Sequence, residues 1–307
     1  MKYSFIIPYY NRAEQFYNTM ITYRHWYGNR NDIEIIVVED GANVENESMH
    51  NDLVDVLCAF GDMNWYHVEA KAKNQYNPVL HRNLAVKQAS GYWIVNTSPE
   101  CAHRMDILSA IDTVVAPKLD GGLVRPLKRK YTFPEGYGPN HKDWKNPGKS
   151  SMRNKYLLVM APDYNDTSSP TYGPNPGYII CACECCKYGE KTHESIAELT
   201  GALEHMQWFQ HSLHNNRRLH WCSFITKTDY EKIGGFDESY QKFCGYDDDD
   251  FREKVRAAGI PLVVRDDLVV VHLNHPRVHQ SGTKAMSVAG LEYYRNKWND
   301  PTARMFK

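Results

Sequence analysis

The chain has 307 residues, with 36 Lys and Arg side chains against 37 Asp and Glu, so its formal net charge is -1. This balance gives no overall positive field, and we do not expect a nucleic acid partner without a local basic patch. Because no apolar run approaches the roughly 20 residues that cross a bilayer, and Arg12 comes too early for a signal peptide, we expect a soluble, cytoplasmic protein without a membrane span.

Short apolar segments alternate with amphipathic segments through the first half, which is typical of strand–helix units around a mostly parallel sheet. The predicted strands cover residues 3–8, 34–40, 64–70, 92–96 and 121–127, and the predicted helices cover residues 12–26, 48–60, 78–90 and 103–114. Residues 128–176 are rich in Pro, Gly, Asn and Tyr, and so long a loop is usually a lid or binding loop. The later predictions are a helix over residues 248–258, a strand in PLVVRDDLVVVHL and a helix near residues 286–298.

Four of the eight cysteines lie in the segment CACECC, at Cys181, Cys183, Cys185 and Cys186. Because residues this close cannot readily form disulfides with one another, we expect reduced thiols. The thiolates could join His193 at a zinc ion, although the usual pair of C-x2-C spacings is missing. Alternatively, YIICACE is a strand whose thiols serve as small apolar side chains.

Polar residues follow the predicted strands, where open α/β sheets bind ligands. Glu39 and Asp40 in VVEDGA could accept hydrogen bonds from a ribose or a base, or they could form a solvated turn before Gly41. Arg82 and Asn83 lie near the start of a predicted helix. The guanidinium could hold a diphosphate there, although a single Arg on a helix is more often simply exposed.

The densest acidic feature is GYDDDDF, in which Asp247 to Asp250 stand where a helix begins. Four adjacent carboxylates repel one another, so the pKa of at least one should be raised. The run could merely cap the helix, with Asp250 paired to Lys254, but one cap does not need four aspartates. His272 and His275 follow the next predicted strand, where a metal could use their imidazoles.

Four segments in this order resemble the GT-A fold nucleotide-sugar glycosyltransferases, especially the inverting family 2 type: SFIIPYYNR, EIIVVEDGA, HRNLAVKQASGYW and IGGFDESYQKFCGYDDDDF. The resemblance covers roughly residues 1–115 and 215–275. It implies a Rossmann-like α/β fold in a single domain over residues 1–300, with a mostly parallel central sheet flanked by helices. Residues 1–115 would form the nucleotide-binding half, and residues 116–300 would form the acceptor-binding half.

The resemblance also implies roles for particular residues. The residues that it places around the nucleotide-sugar donor are Pro8, Tyr9, Asn11, Glu39, Asp40, Arg82 and Asn83. Asp248 would be the general base, and Asp247 would orient the acceptor. Trp221 could stack on a sugar ring, although a Trp beside an apolar strand more often belongs to the core.

The Asp-x-Asp metal motif of the resembled family is incomplete in this chain. Counted from Gly91, its positions fall on Ser98-Pro99-Glu100, so the first carboxylate is missing. Glu100 could still bind Mn2+ or Mg2+ through its oxygens. The histidine that often completes such a metal site matches His272 better than His275.

These features together predict an inverting glycosyltransferase that moves a sugar from a nucleotide-diphosphate donor to a hydroxyl of a glycan or another acceptor. A binding relative without transferase activity is one alternative, which the incomplete metal motif favours. A nucleotidyltransferase is another, but PYYNRAEQF lacks the Gly-rich phosphate loop that it would need. A modified nucleic acid is a further possible acceptor, with LKRKYTF and HNNRRLH as the basic patches, and the balanced charge argues against it.

Overall fold

The computed structural model describes residues 1–40, 47–70, 78–115, 177–186, 206–212, 222–273, 275 and 283–300. The predicted strand over residues 121–127, the predicted loop over residues 128–176, His193 and Trp221 lie outside the described residues. Within the described ranges, no helix is long and apolar enough to cross a membrane.

The described elements alternate between strands and helices through the first half of the chain. The strands are β1 (Tyr3–Tyr9), β2 (Ile33–Asp40), β3 (Trp65–Ala70), β4 (Trp93–Asn96), β5 (Cys101–His103), β6 (Tyr178–Cys186), β7 (Met206–Gln210), β8 (Ser223–Thr226) and β9 (Leu262–His272). The α-helices are α1 (Ala13–Tyr27), α2 (Glu47–Ala59), α3 (Pro78–Gln88), α4 (Ile107–Val115), α5 (Lys227–Lys232), α6 (Asp247–Ala257) and α7 (Thr283–Trp298). A 3-10 helix covers Glu238–Lys242. Each predicted element within the described ranges is present, although α4 begins later than predicted because β5 occupies the preceding residues.

The described strands form one mixed sheet in the order β3-β2-β1-β4-β8-β6-β9-β5, with β7 beside β6. The first four strands in this order are parallel, because helical crossovers return the chain to the same end of the sheet. The other half of the sheet differs from the predicted, mostly parallel pattern. Strand β8 runs antiparallel to β4 and β6, and β5 runs antiparallel to β9. Strands β6 and β9 are parallel to each other.

Helices cover both faces of the sheet and bury two cores, because alternate residues of a strand point to opposite faces. The first core lies between the sheet and α1, α2 and α4, and it contains Val37 of β2. The second core lies between the sheet and α3, α5, α6 and α7, and it contains Val38. Cys181 and Cys183 are fully buried in the first core, which agrees with the interpretation of their segment as an apolar strand.

Candidate functional site

The two acidic residues that end β2 project to opposite faces of the sheet, because they are adjacent in a strand. Asp40 lies on the side of α3, where its Oδ1 is 3.7 Å from Nε2 of His81. Glu39 lies on the side of α2, where its Oε2 is 2.9 Å from both His50 Nδ1 and His67 Nε2. Of the two, only Asp40 therefore lies on the same face as the helix that carries Arg82.

Arg82 joins three parts of the chain at the carboxyl end of β4. The residue is buried, and its Nη1 donates to the carbonyl oxygen of Thr97 at 3.1 Å, just after β4 ends. Its guanidinium carbon lies 5.7 Å from the centre of the Phe236 ring. Its positive charge also lowers the pKa values of Asp247 and Asp248 on α6, against a larger opposing effect of burial. Arg82 and the start of the aspartate run are therefore close enough to interact electrostatically.

The carboxamide of Asn83 is engaged by other parts of the chain, and its role in donor binding stays a prediction. Its Oδ1 accepts hydrogen bonds from the Tyr230 hydroxyl at 2.7 Å and from the Phe236 N–H at 3.0 Å. Its Nδ2 donates to the Phe236 carbonyl at 2.9 Å and to Glu238 at 3.0 Å. These four bonds use the full capacity of a carboxamide. Asn83 therefore fastens the loop that precedes α6 onto α3.

The four aspartates of the run divide into two pairs with different surroundings. Asp249 is buried and forms an ion pair with Arg252 at 3.0 Å. Asp250 is fully buried, and its Oδ1 lies 2.7 Å from both Lys297 Nζ and Trp298 Nε1 on α7. The predicted pairing of Asp250 with Lys254 is therefore replaced by contacts with α7.

Asp247 and Asp248 are half-buried, so both side chains remain partly exposed. Burial raises the pKa of Asp248 well above its usual range, and the neighbouring carboxylates of Asp247 and Asp249 raise it further. Burial also raises the pKa of Asp247, while Arg82 opposes that effect. A carboxylate with a raised pKa is a better proton acceptor than an ordinary aspartate, so this pair can take part in acid–base chemistry.

Glu100, His272 and His275 bring three potential metal ligands together, with their ligand atoms all within 4.8 Å of one another. The antiparallel pairing of β5 with β9 places Cys101 opposite His272, and the Leu273 N–H donates to the Glu100 carbonyl at 2.8 Å. Oε1 of Glu100 lies 3.7 Å from His272 Nε2 and 3.9 Å from His275 Nε2.

The electrostatics of this cluster favour an ionised carboxylate. Burial alone would raise the pKa of Glu100, but the nearby imidazoles of His272 and His275 lower that pKa to about 2. Glu100 therefore carries a negative charge, as a metal ligand requires. The sequence analysis preferred His272 to His275 as the metal ligand. The short spacing of the two histidines in HLNH was the signal that both could reach one ion.

The residues predicted from the first strand have different surroundings. Tyr9 is 1% exposed, and its ring centre lies 5.8 Å from that of Phe16, so the ring packs in the first core, and its contact with the nucleoside stays a prediction. Strand alternation turns the Tyr9 ring away from the face of Asp40. Pro8 is buried on the opposite face of β1. Asn11 is exposed at the strand end with a φ of 45°, a conformation that Asn tolerates better than most residues.

Two further buried polar side chains lie where β4 ends. Both amide atoms of Asn96 and the hydroxyl of Ser98 are shielded from solvent and have no hydrogen-bond partner within the described part of the chain. Buried polar groups normally have partners, so these atoms are suited to contact a ligand or bound water. Sequence analysis missed Asn96, and its signal was a polar residue that ends an otherwise apolar strand.

Several known glycosyltransferases are similar to this chain in sequence or in fold. Residues 213–276 match the family model described as the N-terminal domain of galactosyltransferase. The uncharacterized glycosyltransferase YfnE of Bacillus subtilis strain 168 is 25% identical over 315 residues, which cover 98% of this chain and 71% of YfnE. The structure of S. aureus TarS 1-349 in complex with UDP-GlcNAc aligns with 99% of this chain and 68% of that chain, at 10% identity and a TM-score of 0.55.

A second solved structure, S. aureus TarS, aligns with 99% of this chain at 10% identity and a TM-score of 0.53, but this chain spans only 41% of its length. The likeness to these structures shows that the α/β fold of this chain is of the GT-A type. The family match and YfnE show that the chain is similar to glycosyltransferases in sequence.

Proposed function

We propose that this protein is an inverting glycosyltransferase that transfers a sugar from a nucleotide-diphosphate donor to an acceptor hydroxyl, with Asp248 as the general base. One observation carries the proposal: the half-buried Asp247 and Asp248 interact with the positive charge of the buried Arg82 guanidinium. Arg82 contacts the chain just after β4, at the carboxyl ends of parallel strands, where open α/β sheets bind ligands.

The proposed reaction is a single displacement at the anomeric carbon. An acceptor hydroxyl is a poor nucleophile while it keeps its proton, and the Asp248 carboxylate accepts that proton as the hydroxyl attacks. Asp247 orients the acceptor by accepting a hydrogen bond. Because attack occurs opposite to the leaving group, the product has the inverted anomeric configuration.

Charge on the leaving nucleoside diphosphate must be offset during this displacement. Arg82 supplies a buried positive charge close to the reacting groups, where a low local dielectric strengthens its effect. Asp40 is suited to accept hydrogen bonds from the base or ribose, with Pro8 and Asn11 at the neighbouring strand end. S. aureus TarS was solved with UDP-GlcNAc, so UDP-GlcNAc is the first donor to test.

The cluster of Glu100, His272 and His275 fits a divalent cation, because its donor set combines a carboxylate with two imidazoles that converge on one point. These residues would hold the ion, which supplies positive charge to the leaving diphosphate when bound. Imidazole ligands favour Mn2+ or another transition metal ion over Mg2+. The missing first carboxylate of the Asp-x-Asp motif is compensated in this proposal by His275.

Substitution of Asp248 by Asn tests the proposal. We expect transfer to fall by about 10²–10⁴-fold, the usual contribution of a general base, while donor affinity stays within error of wild type. The variant should also unfold no more easily than wild type at neutral pH. Because burial raises the pKa of Asp248, its ionised form costs folding free energy, and the neutral amide removes that cost.

The assay measures transfer from a panel of nucleotide sugars to glycan acceptors, and donor affinity is measured separately by calorimetry. Asp55→Asn, an identical change at an exposed position of α2, is the matched control. Equal losses of donor affinity and transfer in Asp248→Asn would refute the base assignment. Donor binding without turnover in wild type would instead support a binding relative, and NMR of the product anomer tests inversion.

A further inference from the structure

Glu39, His50 and His67 form a second cluster of potential metal ligands, on the opposite face of the sheet from Asp40. Glu39 lies near the end of β2, His50 in the first turns of α2 and His67 in β3. In the parallel register, His67 pairs with Val37, which lies two residues before Glu39, so both side chains project toward α2. The fold thus brings three separate elements to one point.

The ligand atoms of this cluster are already close to metal-binding geometry. His50 Nδ1 and His67 Nε2 each lie 2.9 Å from the same oxygen, Oε2 of Glu39, and all three atoms lie within 4.8 Å of one another. Bonds of about 2.0–2.1 Å to a tetrahedral ion place ligand atoms about 3.3–3.4 Å apart. The two contacts would therefore need to open by only a few tenths of an ångström.

Burial in the cluster decreases from the carboxylate outward. The side chain of Glu39 is 4% exposed, whereas those of His67 and His50 are 16% and 30% exposed. The buried carboxylate needs a positive partner, and the more exposed imidazoles leave an open side for an ion to enter and keep a water ligand. An ion here would fasten the edge strand β3 and the start of α2 to β2.

We propose that Glu39, His50 and His67 form a second divalent metal site, which binds Zn2+ or a similar transition metal ion. Two imidazoles and one carboxylate suit Zn2+, Co2+ or Ni2+ better than Mg2+ or Ca2+, which prefer oxygen ligands alone. The site strengthens the edge of the sheet rather than contacting the donor. It is therefore independent of the proposed transferase activity.

Co2+ titration of the full chain tests this proposal, because tetrahedral Co2+ gives visible absorption bands. The background variant Glu100→Gln/His272→Gln weakens the other cluster, and we expect it still to bind one equivalent of Co2+ that Zn2+ displaces. Addition of His50→Gln/His67→Gln should weaken this binding by about 100-fold or more, because loss of an outer-shell partner alone costs about 10–100-fold. His25→Gln, at an exposed position of α1, is the control.

Zn2+ should also raise the melting temperature of the background variant but not that of the variant without His50 and His67, since an ion stabilises only a chain that binds it. The proposal is overturned if the background variant binds no Co2+, if binding survives both His substitutions, or if His25→Gln weakens binding equally. If the double substitution prevents folding, His50→Gln alone repeats the test, because that side chain is the most exposed of the three.

Discussion

Replacement of Asn83 by Ala should destabilise the protein by about 3 kcal/mol, because the carboxamide joins α3 to the loop before α6. Its Oδ1 accepts from the Tyr230 hydroxyl and the Phe236 N–H, and these residues are 3% and 2% exposed. Each buried donor left without a partner costs about 1–3 kcal/mol. The two bonds donated by Nδ2 add a smaller loss, since the one to Glu238 is exposed.

Urea unfolding measures this effect, with the free energy of unfolding extrapolated to water and the m-value compared with that of wild type. Asn51→Ala is the matched control, because Asn51 is exposed on α2 and Ala has the higher helix propensity. We expect the control to be at least as stable as wild type. A loss below about 0.5 kcal/mol in Asn83→Ala, the usual range for surface substitutions, would refute the reasoning.

Three further predictions concern pH, metal and backbone conformation. Transfer by wild type should fall as the pH drops through the raised pKa of Asp248. Because the charge of Asp247 raises that pKa, Asp247→Asn should move the acid limb of the kcat/KM profile to lower pH. An unchanged acid limb would contradict the base assignment. Chelation should reduce transfer, and His275→Gln should raise the Mn2+ concentration needed for recovery at least about tenfold, which a metal titration measures. Gly235→Ala should destabilise by more than Gly234→Ala in thermal unfolding, since both have positive φ but only the Cβ at Gly235 would meet a side-chain oxygen, at 2.6 Å. Gly234→Ala should cost only about 1–2 kcal/mol, the price of a left-handed conformation, and equal losses would contradict the clash.

Local patterns were sufficient to predict most of the first half of the fold. The apolar segments that became β1, β2 and β4 and the amphipathic segments between them have periods that depend only on neighbouring residues. Short strands such as β5 and β7 were missed, because three to five residues carry little periodic signal. Their pairing depends on partners far along the chain.

The sequence by itself determined which residue types were available for chemistry: acidic residues at the start of α6, an Arg on α3 and imidazoles at and just after the end of β9. Only the tertiary structure decided how each is used. Asp250 is held by Lys297 and Trp298 of α7, and Glu39 by two histidines from α2 and β3, contacts that no local pattern contains. The physical reason is that backbone periodicity sets the face on which a side chain lies, whereas its partner is set by which distant element packs against that face.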